Sequence, residues 1–579
     1  MADSKQDVLD MLRELAELTL LDEQSTQSFR VRAYESAAQA IAAHGTDLGE
    51  LTEKELRQIE SIGKSTAEKI RELLQTGKVT KVEALREKHP REVVALLQIP
   101  GLGPKAVARL RSELGVGSLA DLKSALEHRK LQALRGFGVK SEEKLRKAVE
   151  RLEELGAFQR TPISIALPHA QRIVQHLTSV PGVDQALYCG SLRRFSETIG
   201  DIDIVVTARA AEPVMQALTE MTIVERVIAR GERKTSVVTR RGIQVDLRVV
   251  EKSQLGAATL YFTGSKGHNI KLRQRALGRG FLLNEYGLFE VEGGRCVASE
   301  TEEDIYAALG LPWISPVLRE DAGEIEAAEN GALPRPIHPA LGDFHVHTTV
   351  SGDGRSPLED VVAGARQRGY PVLAITEHAE GTLSGVGRDV MLAQREKLRA
   401  AQAELGNELR LLHGVELNIG PAGELDYEAE FRAGFDWCLA SVHSHFDLGR
   451  AEQTRRVIAA MEEPSVRMIG HLSARMLGHR AGIDLDLDAV FDAAERTGTA
   501  LEINGGLPRL DLSVDALRRL RTRKVLLVLT SDAHHASELE RLRYAALNAE
   551  RAGIDPERVV NTWPKERLTA WAADGTLAS

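Results

Sequence analysis

From residue 341 to residue 579, short apolar runs end one after another on a residue able to ligate a metal. Asp343-Phe-His345-Val-His347 opens the series, and Asp353 lies just beyond it. His378 closes Val372-Leu-Ala-Ile-Thr-Glu, Glu416 closes Leu411-Leu-His-Gly-Val, and His443 closes Leu439-Ala-Ser-Val. His471 follows Met468-Ile-Gly, and Asp532 and His534 follow Leu527-Val-Leu-Thr-Ser. On a strand, His-x-His sets both imidazoles on one face. Strand-then-helix alternation, with polar ligands at strand C-terminal ends, points to a (β/α) barrel whose site lies at that face. Any single histidine reads as well as a satisfied structural group or a surface residue; the ordered set narrows the fold. Mixed imidazole and carboxylate donors suit Mn²⁺, Zn²⁺ or Fe²⁺.

A second constraint lies upstream, in Tyr188-Cys-Gly190-Ser191-Leu-Arg193-Arg194-Phe-Ser-Glu-Thr-Ile-Gly200-Asp201-Ile-Asp203-Ile-Val-Val206. Asp201 and Asp203 begin an apolar strand and share one face. Such a pair repels itself unless a divalent ion such as Mg²⁺ supplies counter-charge. Asp246, in Ile243-Gln-Val-Asp246-Leu-Arg248-Val-Val, is a third acid on a strand-like run. Three converging carboxylates are able to hold two ions for phosphoryl or nucleotidyl transfer, although Asp-x-Asp alone is also an ordinary solvated strand end. The Gly190-Ser191 turn and the guanidinium groups of Arg193 and Arg194 offer amides, a hydroxyl and forks to triphosphate oxygens.

In this order, Gly-Ser-x-Arg-Arg, Gly-Asp-x-Asp and Asp-x-Arg resemble the palm of family X DNA polymerases, the polymerase beta group. Tyr261-Phe262-Thr-Gly264-Ser-Lys266-Gly-His-Asn269-Ile-Lys-Leu-Arg273 resembles that family's nucleotide-binding thumb. The resemblance implies that Asp201 and Asp203 ligate two Mg²⁺ or Mn²⁺ ions and that Asp246 completes the catalytic one beside the primer 3′-hydroxyl. It implies a nucleotide site built from Gly190, Ser191, Arg194 and Gly200, with Tyr261 and Phe262 lining the sugar and Gly264 in the turn. Asn269 would meet the incoming base, Arg273 the template and Arg248 the primer end. Lys266 departs from the eukaryotic pattern, where an acid is common, and sets a cation near the nucleotide.

The C-terminal donors resemble the PHP domain, a polymerase-and-histidinol-phosphatase family of metal phosphoesterases. The resemblance implies His345, His347, Glu416 and Asp532 around one ion, and Glu416 bridging to a second held by His443 and His471. Asp353, His378 and His534 would take a third. Glu377 stands where the family usually has Asp and is not an expected ligand. Arg475 and Arg509 are candidates for phosphate binding or for plain surface roles.

The N-terminal third is helical in period, with Val8, Leu9, Leu12, Leu15 and Leu18 on one face. Three segments put a small-residue turn before a helix: Ile59-Glu-Ser-Ile-Gly63, Ile99-Pro-Gly101-Leu-Gly103 and Leu134-Arg-Gly136-Phe-Gly138. Amides at such a turn bind a DNA phosphate without reading sequence; helix packing is the other use of the pattern. The segments resemble helix-hairpin-helix motifs. Ser61 departs from that pattern, standing where the leading glycine is usual, and lacks glycine's easy access to positive φ. Ala67-Glu-Lys69-Ile aligns with the family's lyase lysine, which forms a Schiff base with an abasic sugar; an exposed helix lysine is the alternative.

The resemblances divide the chain into a helical DNA-binding domain (1–85), helix-hairpin-helix fingers (86–155), palm (156–255), thumb (256–318), linker (319–340) and PHP domain (341–579). The fold class is multidomain, α+β and α/β. Net charge is −9, so DNA contact must come from local basic faces and amides. Cys189, Cys296 and Cys438 show no pairing pattern, which argues for a reducing compartment. With no leader pattern and no membrane-length apolar run, a cytoplasmic protein is expected. The expected activity is gap-filling DNA synthesis joined to 3′-end phosphoester hydrolysis. Gapped DNA and deoxynucleoside triphosphates are the expected partners of a monomer, with other repair proteins beside them. The alternatives are a purely structural PHP barrel and a DNA-end-binding scaffold.

Overall fold

The computed structural model of the chain describes residues 4–25, 28–43, 48, 51–59, 61–99, 102–134, 137–154, 160–337, 340–382 and 384–574. The N-terminal apolar face forms a core through Val8, Leu12, Leu15, Ile41 and Ile70. A second small core follows around Leu96, Val107, Leu110 and Leu122. Three helices begin directly after the motif glycines: α1 (Lys64–Thr76) after Gly63, α2 (Pro104–Leu114) after Gly103 and α3 (Val139–Glu154) after Gly138. Gly101 and Gly136 lie outside the described residues.

The palm is a five-stranded sheet behind α4 (Ile163–Thr178) and α5 (Ala211–Thr219). Its strands are β1 (Val183–Tyr188), β2 (Asp201–Ala208), β3 (Val224–Arg230), β4 (Lys234–Thr239) and β5 (Gln244–Val250). They lie in the order β1-β2-β5-β4-β3, with β2 and β5 parallel and the other pairs antiparallel. Alternation along β2 decides its faces. Ile202, Ile204 and Val206 enter the main palm core, whereas Val205 packs with Cys189 and Ala258 on the other side. Asp201 and Asp203 share that second face. The thumb follows as α6 (Leu255–Thr263), α7 (Lys266–Gly278) and a three-stranded antiparallel sheet.

Parts of the expected linker pack into cores on either side, Ile337 into that of the C-terminal domain. Ile325 and Ala328, on a helical turn over Glu324–Glu329, enter the thumb core beside Ile305 and Tyr306. Arg319 is fully buried and pairs both guanidinium nitrogens with Glu302, at 2.8 and 2.9 Å. An acid- and alanine-rich composition hid this segment, because its apolar stripe is only two residues wide.

In the C-terminal domain six parallel strands lie side by side in chain order: β6 (Val372–His378), β7 (Arg410–Asn418), β8 (Trp437–Ser441), β9 (Val466–Ile469), β10 (Ala500–Asn504) and β11 (Leu527–Thr530). The sheet curls until Asp343–His347 spans its two edges. Thr376 donates its amide to Val346 at 2.8 Å, and His347 donates to Ala533 at 2.8 Å. Phe344, Trp437, Trp563 and Trp571 fill the interior, leaving the C-terminal rim polar. Among the described residues, no helix is long and apolar enough to cross a membrane.

Candidate active sites

In the palm, parallel register sets Asp203 of β2 directly against Asp246 of β5. One oxygen each of Asp201, Asp203 and Asp246 lies within 4.8 Å of the others. Burial, with the charges of Asp201 and Asp246 added, pushes Asp203 up to about 7. Asp201 is raised by burial and then by Asp246. Asp246 is oriented by the Ser236 hydroxyl and by the Gln244 amide at 2.8 Å. Three carboxylates repelling one another in a half-buried cleft form an all-oxygen donor set that a hard divalent ion fits.

Gly190 has φ +62, and a Cβ there would sit 2.4 Å from Asp203 Oδ2. Close approach and left-handed backbone both require glycine at this point. Ser191 and Arg194 follow on the same short helix-turn, and Gly200 lies beside Arg160. The Arg194 guanidinium donates to Glu320 at 3.0 Å and to the Thr263 carbonyl. Arg193 instead turns inward to Glu302 and Thr263, so it is structural. Cys189 is buried and its thiol is pushed up to about 12, as a packing residue should be.

Across the cleft, Gly264 turns at φ +64 before α7, whose first residue is Lys266. Asn269 donates to the Tyr261 carbonyl at 2.7 Å, and Tyr261 meets Phe262 edge to face at 5.1 Å. Arg273 lies over Tyr261 and Arg248 over Phe262, at 5.1 and 5.0 Å. These cation–π contacts tie the two arginines to the aromatic pair.

The rim of the barrel brings all nine expected donors together. His345 Nε2 is 3.3 Å from Glu416 and 3.5 Å from Asp532, while His347 Nε2 is 3.6 Å from each. Glu416 Oε1 also lies 3.3 Å from His443 and 3.0 Å from His471. Asp353 sits 3.3 Å from His378 and 3.5 Å from His534. Nε2 of His345, Nε2 of His347 and both ring nitrogens of His443 are buried without hydrogen-bond partners. Such orphaned nitrogens are costly, and their convergence with carboxylate oxygens fits divalent transition metals. Burial alone would raise Glu416, yet His345, His443 and His378 hold it well below the usual carboxylate range.

Residues 258–320 match the DNA polymerase beta thumb, 3–79 a helix-hairpin-helix domain, 93–151 a SAM-like helix-hairpin-helix tandem and 343–505 the PHP domain. The chain is 34% identical over 562 residues to the DNA polymerase/3′-5′ exonuclease PolX of Bacillus subtilis (strain 168), covering 96% of this chain and 97% of that protein. The chain belongs to the PHP-bearing family X DNA polymerases. Part of the polymerase, 46% of its length, matches 48% of rat (Rattus norvegicus) DNA polymerase lambda at 26% identity. A probable phosphatase of Syntrophotalea carbinolica (strain DSM 2380 / NBRC 103641 / GraBd1) matches 38% of the chain at 31% identity, over 90% of its own length.

One buried carboxylate of the polymerase, Glu502, escaped the sequence reading, as did the role of a second, Glu377. Glu502 accepts from His345 Nδ1 at 2.6 Å and from Thr530, aiming His345 Nε2 at the donors. Glu377 accepts from the amides and hydroxyls of Thr348 and Ser351, which anchors the loop carrying Asp353. Its extra methylene over Asp lets it reach two residues of that loop. Glu502 lies in the run Ala-Leu-Glu-Ile-Asn of β10, and an acid amid buried strand residues was the available signal. Arg509 Nε is 3.3 Å from Asp532, at the site. Arg475 is elsewhere: it clamps Glu197 of the palm at 2.9 and 3.0 Å.

At the N-terminal motifs, Gly63 and Gly103 have ordinary extended backbone and cap their helices without a side chain. A Cβ on Gly63, Gly103 or Gly138 would meet no protein atom within 4 Å. Neither internal packing nor φ explains Gly63 and Gly103. Ser61 takes φ +66 despite its side chain, the left-handed backbone that glycine adopts more easily. Lys69 Nζ donates to Ser65 and lies 5.9 Å from the Tyr34 ring. Burial lowers its pKa, with Lys81 and Arg30 adding to the effect against Glu68 and Glu72.

Proposed function

We propose that this polymerase fills short gaps in DNA with its palm and trims or cleans 3′ ends with its PHP site. The observation that carries the reading is the presence of two complete donor clusters, one of three aspartates and one of nine imidazoles and carboxylates. Divalent ions, Mg²⁺ or Mn²⁺ at the palm and up to three Mn²⁺, Zn²⁺ or Fe²⁺ at the barrel rim, would neutralise phosphate charge and activate the attacking oxygen. At the palm, Asp201, Asp203 and Asp246 hold the reacting groups in line. The primer 3′-oxygen bonds to the α-phosphorus, the bond to the pyrophosphate oxygen breaks, and the hydroxyl proton passes to solvent water. Ser191, Arg194 and the amides after Gly190 receive the triphosphate. Tyr261, Phe262, Gly264, Lys266 and Asn269 form the nucleotide's outer wall, with Gly200 supporting the acidic strand. Arg248 and Arg273 address primer and template. Gly63, Gly103 and Gly138, with Gly101 and Gly136, let DNA phosphates approach the helix-start amides.

At the barrel rim, His345, His347, Asp353, His378, Glu416, His443, His471, Asp532 and His534 form the hydrolytic site. Water attacks the terminal phosphorus, the 3′-oxygen leaves, and a primer fit for extension remains. The chain works as a cytoplasmic monomer on gapped DNA and deoxynucleoside triphosphates, in contact with other repair proteins. Lys69, partly desolvated beside Lys81 and Arg30, is the candidate lyase amine. The domain limits are those of the sequence reading, with the thumb extended to about residue 330.

A 5′-labelled primer over a one-nucleotide gap tests the two-site reading. Asp201→Ala should abolish extension and keep shortening, while His347→Ala should do the reverse. Loss of both activities in both variants would defeat it, and extension without any shortening would make the barrel structural.

A further inference from the structure

The barrel carries a second polar cavity, at the opposite end from the metal donors. It lies where β7 and β8 begin, beneath α8 (Arg388–Leu405). Its volume is about 230 Å³, and Arg395, Arg399, Arg410, His413 and Asp436 line it. Arg395 and Arg399 stand one turn apart on α8, on the same face. Arg410 joins them from the first position of β7.

Three guanidinium groups here outnumber their local acids. Glu396 takes Arg399 at 2.8 Å on the exposed side. One oxygen of Asp436 is occupied by the backbone amide of His413 at 2.9 Å. Gln402, also on the wall, is fully used in holding Gly406, Leu409 and Leu411. By contrast, Arg395 Nε is buried with no hydrogen-bond partner. His413 is 4% exposed, stacks on Phe435 at 4.6 Å, and has the Met391 backbone beside its ring. A buried donor left unpaired, like Arg395 Nε, is costly to the fold. Burial, then Arg395 and Arg399, outweigh Asp436 and the Met391 backbone and hold His413 down to about 4, so its ring is neutral near pH 7 and leaves the positive charge here to the arginines.

We propose that this cavity binds a phosphate-class oxyanion, either the phosphoryl group of a nucleotide or a backbone phosphate of DNA. Guanidinium forks match phosphate oxygens bidentately, and the cavity exceeds what a single water needs. Nothing in the polymerase or hydrolase reading uses these residues.

The test uses full-length, metal-free protein carrying Arg194→Gln, which removes the palm's own phosphate contact. Inorganic phosphate and dAMP are titrated calorimetrically at constant ionic strength, with chloride as the control. Saturable binding is expected, weakened at least tenfold by Arg395→Gln/Arg410→Gln. Arg410→Gln alone, at an exposed position, should weaken it severalfold and stands in if the double variant misfolds. A backbone phosphate as occupant would show as a shallower salt dependence of DNA binding in the variants, by about one unit of log–log slope per lost contact. A free nucleotide as occupant would leave that slope unchanged while dAMP binding falls. Absence of saturable phosphate binding together with an unchanged DNA salt slope, or equal phosphate and DNA binding with and without the arginines, would overturn the proposal.

Discussion

Gly190 shows how one hydrogen in place of a side chain fixes chemistry at the palm. Alanine would bring its Cβ to 2.4 Å from the Asp203 carboxylate and would hold a left-handed φ of +62. Backbone strain of that kind costs about 1–3 kcal/mol, and the carboxylate must move as well. Gly190→Ala should therefore lower extension at least a hundredfold while leaving 3′ shortening intact, read on the same gapped primer. At the PHP rim, Glu502 acts at one remove, by orienting His345 through its other nitrogen. Glu502→Gln should weaken metal binding roughly 10–100-fold, measured by calorimetric titration with Mn²⁺, with little change in the melting temperature of the metal-free protein. The sequence exposed the donors, because each sits at the end of an apolar run. It concealed Glu502 and the role of Glu377, because both depend on strands and loops far apart in sequence meeting in the barrel.

At the scale of elements, strand alternation and helix-start glycines were legible, and the thumb's last segment was not. What fixes that segment is Glu302, buried between Arg193 and Arg319, each of which meets both of its oxygens. Burial works against ionisation, but the two guanidinium groups outweigh it and lower Glu302 to about 2. A depressed carboxylate stabilises the fold above its ordinary value near 4.5 and loses that contribution as pH falls toward 2. Removing one partner of a buried ion pair costs on the order of 3–5 kcal/mol. Glu302→Gln should thus lower the melting temperature of the thumb at pH 7, and the gap from wild type should close between pH 4.5 and 2. An equal gap across that range, in melts followed by circular dichroism, would remove Glu302 from this role. Distant ion pairs of this kind leave no local pattern, which is why composition suggested a linker.

Across the whole molecule, the barrel grips the palm beside Gly190-Ser191, the proposed triphosphate loop. Phe195 stacks on Tyr544 at 5.7 Å, and Arg475 clamps Glu197. Tyr544 and Leu510 of the barrel enter the palm core. Arg551, on α9 (Leu542–Ala552), donates to the Phe195 carbonyl and lies 3.6 Å from Glu320. Glu320 is also the partner of Arg194, at 3.0 Å. The two arginines therefore compete for one carboxylate, and the one from the barrel reduces the hold on Arg194, the proposed triphosphate contact. Without Arg551, Glu320 belongs wholly to Arg194 and, on the proposed reading, draws it from the triphosphate. A partly buried pair of this kind is worth about 1–1.5 kcal/mol, which corresponds to roughly a tenfold change in affinity. Arg551→Ala should raise the KM for deoxynucleoside triphosphate by up to that factor with kcat nearly unchanged and 3′ shortening unaffected. Adding Glu320→Gln should bring KM back down, because the competing carboxylate is gone. Steady-state extension kinetics on the three proteins decide it: an unchanged KM in Arg551→Ala, or no recovery in the double variant, would mean that the barrel grips the palm without tuning its nucleotide site.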